Sequence, residues 1–241
     1  MFYFLLTPIA AYNLILIAAA VIPAVFLMLK VYQSDRLEKE SSALLWQLVK
    51  AGILAALLAL VEEKILFVLA DILFEEGSVL YNVILYFVIV AGAEESSKYI
   101  FMRRTTWNSP EFNCQFDAIV YAVFVSLGFA LWENISYVLH YGLSTALVRA
   151  VTAIPGHACF GVFMGVFYGL ARRSARTGSA AEVKKYSVLS ILVPVVLHGA
   201  YDYIATLEDT GSGWYFLIFA ALLFFFAYRV TGRSAREDGY M

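Results

Sequence analysis

The residues of this chain whose types and spacing could do chemistry are Glu94, Glu95 and Lys98, then Glu133, His157, and the pair His198 and Asp202. In Glu94-Glu95-Ser-Ser-Lys98 the first acid and the lysine are four residues apart and share a helix face. One carboxylate can therefore be charge-compensated while its neighbour projects elsewhere. Phe129 and Glu133 repeat this spacing, as do His198 and Asp202. A carboxylate four residues from a histidine can orient the ring and fix its tautomer, or join it on a metal. A carboxylate in a low-dielectric pocket can act as general base on water, so the set suggests hydrolysis. Zinc takes imidazole nitrogen and carboxylate oxygen, and a catalytic site keeps one position for water. Glu133, His157 and His198 could supply three protein ligands, with Asp202 as a further ligand or hydrogen-bonded behind one. No HExxH sequence is present, so the chain is not an ordinary zincin.

The elements that carry these residues are set by composition. Of 241 residues, 62% are hydrophobic and 15% charged, with mean hydropathy +0.76. A soluble domain averages nearer half apolar and a quarter charged. The net charge of −2 excludes a basic nucleic-acid surface. Apolar runs of about 20 residues recur along the chain, and each is long enough to cross a bilayer. The expected architecture is an all-α, polytopic transmembrane bundle forming one membrane domain over 1–241. Its seven expected spans are 9–29, 44–70, 79–101, 116–139, 146–170, 187–206 and 214–231. Cys114 and Cys159 lack the paired spacing of a thiolate metal site and read as structural.

Loop charge gives an orientation. Of the 17 cations, 13 lie in the connections after spans 1, 3 and 5 or in the C-terminal tail. Connections 71–78, 140–145 and 207–213 carry no Lys or Arg, but hold Asp71, Glu75, Glu76, Glu208 and Asp209. By the positive-inside rule the N-terminus is expected outside and the C-terminus in the cytoplasm. Counting about 1.5 Å per residue from the outer ends places Asp202 about 6 Å deep, Glu133 about 9 Å, His198 about 12 Å and His157 about 17 Å. Glu94 falls deeper, at about 22 Å on the same count.

Ionisable groups at membrane depth are costly and mark function by default. Glu62-Glu63-Lys64 reads as a self-compensated or interfacial cluster, and Arg149 as a snorkelling residue near the end of its span. His157 heads a stripe with Gly161, Gly165 and Gly169, a face that lets another helix approach closely.

Taken in order, Glu94-Glu95-x-x-Lys98, Phe129-x-x-x-Glu133, His157 and His198-x-x-x-Asp202 resemble the PrsW family of bacterial intramembrane proteases. That family belongs to the wider CAAX-protease and bacteriocin-processing superfamily. Phe116-Asp117-Ala118, Gly128-Phe129-Ala130, Glu133-Asn134 and Pro155-Gly156-His157 also fit. The resemblance covers spans 3 to 6 and implies a catalytic four-helix core over 90–205. Prenyl-processing members of the superfamily carry His where this chain has Glu133, and commonly Asn where it has Asp202, which disfavours a CAAX substrate.

The resemblance implies an endopeptidase of the bacterial plasma membrane. It would cut a membrane-anchored protein near the outer face, with first-site cleavage of an anti-sigma factor as the family's characteristic reaction. It leaves two mechanisms open. In one, a Zn2+-bound water is deprotonated by Glu94. In the other, no metal takes part: Glu94 activates water with help from Glu133, while His198 and Asp202 stabilise the oxyanion. Glu95 and Lys98 belong to the same catalytic set. Buried acids, a lysine and histidines also mark ion paths, so a proton-coupled transporter is the alternative, beside a silent scaffold of the same fold. Pro23, Pro155 and Pro194 form no matched pair of broken helices, which argues against the transporter.

Overall fold

A computed structural model describes residues 8–207 and 212–241. Glu208 and Asp209 of the last expected acidic loop lie outside these. The helices are α1 (Pro8–Ser34), α2 (Ser42–Leu73), α3 (Val79–Val83), α4 (Ala91–Thr106), α5 (Asp117–Tyr141), α6 (Leu143–Val151), α7 (Ala153–Arg176), α8 (Ala180–Ala205) and α9 (Ser212–Ser234). A π-helical stretch, Ile84–Val90, joins α3 to α4. Six helical segments are long and apolar enough to cross a membrane; with α3 joined to α4 and α6 to α7, they correspond to six of the seven expected spans. The remaining one, 44–70, is the 32-residue α2, which carries Lys50, Glu62, Glu63 and Lys64 and is not among the six.

Helix starts follow local chemistry. Ser41 accepts from the Leu44 amide at 3.2 Å and Ser78 from the Tyr81 amide at 3.1 Å, satisfying donors that a first turn leaves free. The expected span 146–170 is in fact two helices, α6 and α7, broken at Thr152 (φ −117°, ψ −75°). Pro155 sits in the first turn of α7, where its missing N–H costs nothing.

α5 is the central rod, with every residue from Asp117 to Ala130 buried. It packs against α7, α2 and α1. The glycine stripe of α7 makes the first of these contacts: a Cβ on Gly165 would stand 2.5 Å from Ile119 Cα. A second close approach, between Gly52 of α2 and Gly128 of α5, is as tight, since a Cβ on Gly52 would stand 2.2 Å from the Val125 carbonyl oxygen. The C-terminal tail returns to the α4–α5 loop, where Met241 N donates to Asn113 O at 2.7 Å and Phe116 N to Asp238 Oδ1 at 2.8 Å.

Candidate active site

Lys98 is the centre of the site. Its ammonium, fully buried on α4, donates to Glu94 Oε2 at 3.0 Å and Glu95 Oε1 at 2.7 Å, and lies 3.1 Å from His157 Nδ1. The i,i+4 pairing of Glu94 with Lys98 is as expected, but Glu95 does not project elsewhere: at i,i+3 it meets the same cation. The Phe129 ring covers the ammonium, with 4.0 Å between Nζ and the ring centroid. This contact accounts for the phenylalanine four residues before Glu133.

The hydrogen bonds fix the histidines. An ammonium can only donate, so His157 Nδ1 accepts and the ring proton sits on Nε2. That nitrogen donates to Glu133 Oε2 at 2.9 Å. His198 lies between two acids, with Nδ1 at 2.9 Å from Glu95 Oε1 and Nε2 at 3.2 Å from Asp202 Oδ2. Phe160 stacks on its ring at 4.6 Å. Gly199 lets the π-helical stretch reach this point, because a Cβ there would stand 2.6 Å from the Phe87 ring.

The structure therefore brings together every expected site residue: Glu94, Glu95, Lys98, Glu133, His157, His198 and Asp202. Glu94, Glu133, His157, His198 and Asp202 line one cavity of about 540 Å³. Glu95 and Lys98 stand behind its wall, both fully buried. Glu94 Oε2 comes within 3.9 Å of His198 Nδ1, level with the residues counted as shallower. The π stretch Ile84–Val90 shortens the count to Glu94 by only a small part of this difference; the rest lies in where the count begins, since the helix starts at Val79 and its first turns need not mark the outer end of the span.

Two expectations are corrected. Arg149 does not snorkel. α6 folds back from α5 at Gly142 (φ 83°) and turns the guanidinium inward, 2.9 Å from Glu133 Oε2. Its Nε donates to Asn134 Oδ1 at 2.8 Å, and it lies over the Tyr137 ring. The Glu62-Glu63-Lys64 cluster is not self-compensated either. Glu62 accepts from Ser97 Oγ at 3.0 Å, while Glu63 lines the cavity. Among the described residues Lys64 pairs with neither. Sequence reading missed Arg149, Glu63 and Phe160; the Tyr-Gly break at 141–142 was the available sign that 143–151 doubles back.

The ligand-capable groups also regroup. Among the described residues, one set of three brings its ligand atoms within 4.8 Å of one another: Glu94, Glu95 and His157. This set shares only His157 with the expected Glu133, His157 and His198, because Glu133 is engaged by Arg149 and His198 by Glu95 and Asp202. One imidazole and two carboxylates suit zinc in kind. All three are the partners of Lys98 Nζ, so a cation bound there exchanges with the ammonium.

Carboxylates and histidines from five helices thus share one cavity inside an apolar helix bundle, with a buried lysine behind its wall. The family model for the PrsW family intramembrane metalloprotease matches residues 40–229, and the chain belongs to that family. It is 40% identical over 150 residues to Protease PrsW of Bacillus subtilis, a match covering 61% of this chain and 65% of that protein. To Protease PrsW of Geobacillus kaustophilus it is 32% identical over 214 residues, 89% of each chain. The Clostridioides difficile protein of the same name is 29% identical over 199 residues, 78% of each. No solved structure matches. Membership assigns the chain to a family of membrane proteases acting on membrane proteins, in place of the transporter and scaffold alternatives.

Proposed function

We propose that this chain hydrolyses a peptide bond of a membrane-anchored protein at the cavity between α2, α4, α5, α7 and α8, with Glu94 as the general base. The observation that carries this reading is the division between the two adjacent acids: Glu94 faces the cavity, whereas Glu95 is sealed behind it on Lys98 and His198. Glu94 takes a proton from water as that water attacks the scissile carbonyl. Glu95 is a positioning residue, holding Lys98 and one side of His198. His198, donating towards Asp202 at the cavity edge, stabilises charge developing on the carbonyl oxygen. Glu133, oriented by His157 and Arg149, accepts or returns a proton on the opposite wall. A divalent cation, when bound, would be held by Glu94, Glu95 and His157 and would polarise water or carbonyl oxygen.

The family resemblance supports a membrane-anchored anti-sigma factor as substrate, cut near the outer face of the bacterial plasma membrane. A reporter carrying such an anchor, co-reconstituted with the full chain, tests this. Glu94→Gln should stop cleavage while the protein remains folded. Undiminished cleavage by folded Glu94→Gln would sink the assignment, and cleavage of other anchored reporters but not of an anti-sigma anchor would remove the substrate reading alone.

A further inference from the structure

A larger cavity lies apart from the active site, between α1, α7 and α9, with a volume of about 820 Å³. Its wall is sharply divided. Along the helices it is apolar, formed by Phe26 and Val31 of α1 and by Phe224 and Ala227 of α9, with Ala158 and Cys159 of α7 as its floor. At one end stand four cations, Lys30, Arg36, Arg229 and Arg236, and no acid lines the cavity anywhere. All four are exposed, and among the described residues none forms an ion pair. Arg233, on the same helix but outside the cavity, is by contrast paired with Glu237 at 3.0 Å. Gln33, Ser34 and Thr231 add hydrogen-bonding groups at the charged end.

Dimensions narrow the occupant. From Phe26 to Ser34, the end of α1, the wall rises about 12 Å at 1.5 Å per residue, close to half of a hydrocarbon core of about 30 Å. A slot one leaflet deep, open along helices with exposed apolar faces and ending in unpaired cations, matches an acyl chain joined to an anionic headgroup. Basic pockets between transmembrane helices bind such headgroups.

We propose that this groove is a binding site for an anionic phospholipid. The acyl chain lies along α1 and α9 against the α7 floor, and the phosphate meets Lys30, Arg36, Arg229 and Arg236. The site is independent of the catalytic reading. Its floor nevertheless belongs to the helix that carries His157, so the bound lipid holds α7 from the side opposite the active site.

Native mass spectrometry of the full chain, released from membranes containing phosphatidylglycerol and phosphatidylethanolamine, tests the proposal. The native chain should retain phosphatidylglycerol selectively. The quadruple variant K30Q/R36Q/R229Q/R236Q should lose that retention at least tenfold, whereas R172Q/R173Q/K184Q/K185Q, which removes four cations elsewhere, should keep it. Because the first variant could disturb insertion, Gly232→Leu provides a second arm. It fills the charged end of the groove, where a Cβ meets only Arg236 at 3.6 Å, without removing a charge. It too should lose the lipid. Equal retention by native chain and both groove variants, equal retention of the two lipids, or occupation by a peptide segment would overturn the proposal.

Discussion

Around the cavity the four carboxylates of Glu94, Glu95, Glu133 and Asp202 alternate with two imidazoles, an ammonium and a guanidinium, and each of these groups meets an opposite or hydrogen-bonding partner within 3.2 Å. At the loop end of the bundle, Asp35, Glu40, Asp117 and Asp238 also gather in buried surroundings, but they share one sign. Both oxygens of Asp35, and one each of Glu40, Asp117 and Asp238, have no hydrogen-bond partner. The nearby Lys39 ammonium is turned to the backbone carbonyls of Tyr32 and Asp35. Burial, with the Asp117 charge beside it, pushes Glu40 up to about 9; burial also raises Asp35, with Asp238 adding and Lys39 opposing. Around Lys98 charge is thus kept at membrane depth by pairing, although Glu63 lines the same cavity outside the paired set, whereas near the loops Glu40 holds its proton. The first arrangement stores reactive groups and the second does not.

The comparison breaks most readily at Lys98. Lys98→Met would leave Glu94 and Glu95 buried without a cation and should cost about 3–5 kcal/mol, read as a large fall in the unfolding temperature in nanodiscs. Added Zn2+ should recover part of it, since the freed donors are those that lie close enough for a metal; an unfolding temperature equal to the native value would show that the cluster does not depend on the ammonium. Glu94→Gln removes a cavity-facing base without removing a wall, and should slow reporter cleavage at least about 100-fold with little change in unfolding temperature. Arg149→Met releases one side of Glu133 and should reduce cleavage about tenfold, the loss expected of one charge-assisted hydrogen bond; Arg149→Lys should restore part of it.

The smallest effect on cleavage is expected at the loop cluster. Glu40 keeps its proton in the folded protein up to about 9 but loses it near 4.5 when unfolded. Its contribution is full below pH 4.5 and is lost as pH rises through 9. Glu40→Gln should therefore flatten the decline in unfolding temperature across that window and leave cleavage at neutral pH unchanged. A decline as steep as in the native chain would place the titrating group elsewhere.

Much of the site was legible because its members sit at helical spacings. Glu94 with Lys98, and His198 with Asp202, are neighbours by the geometry of a single helix and needed no knowledge of the fold. Arg149 was not legible. Its partner Glu133 lies across the reversal at Gly142, and a hydropathy reading that joined α6 to α7 pointed the arginine away. The division of labour between Glu94 and Glu95 was equally hidden, because adjacent residues differ by about 100° around a helix and only the surrounding helices say which direction is cavity and which is wall. Gly52 carried no pattern, unlike the Gly161-Gly165-Gly169 stripe; its close approach to α5 appears only once the two helices are packed.

Composition and periodicity alone determined the bilayer as solvent, the approximate placing of six of the seven spans and the short roster of costly ionisable groups. These are local or additive properties: apolar length, charge count and the turn of a helix. Packing decided which groups touch, which carboxylate faces the cavity, that Lys98 stands among Glu94, Glu95 and His157, and that four cations end one lipid-sized groove. Those outcomes depend on relations between helices far apart in the chain, and no spacing along the sequence encodes them.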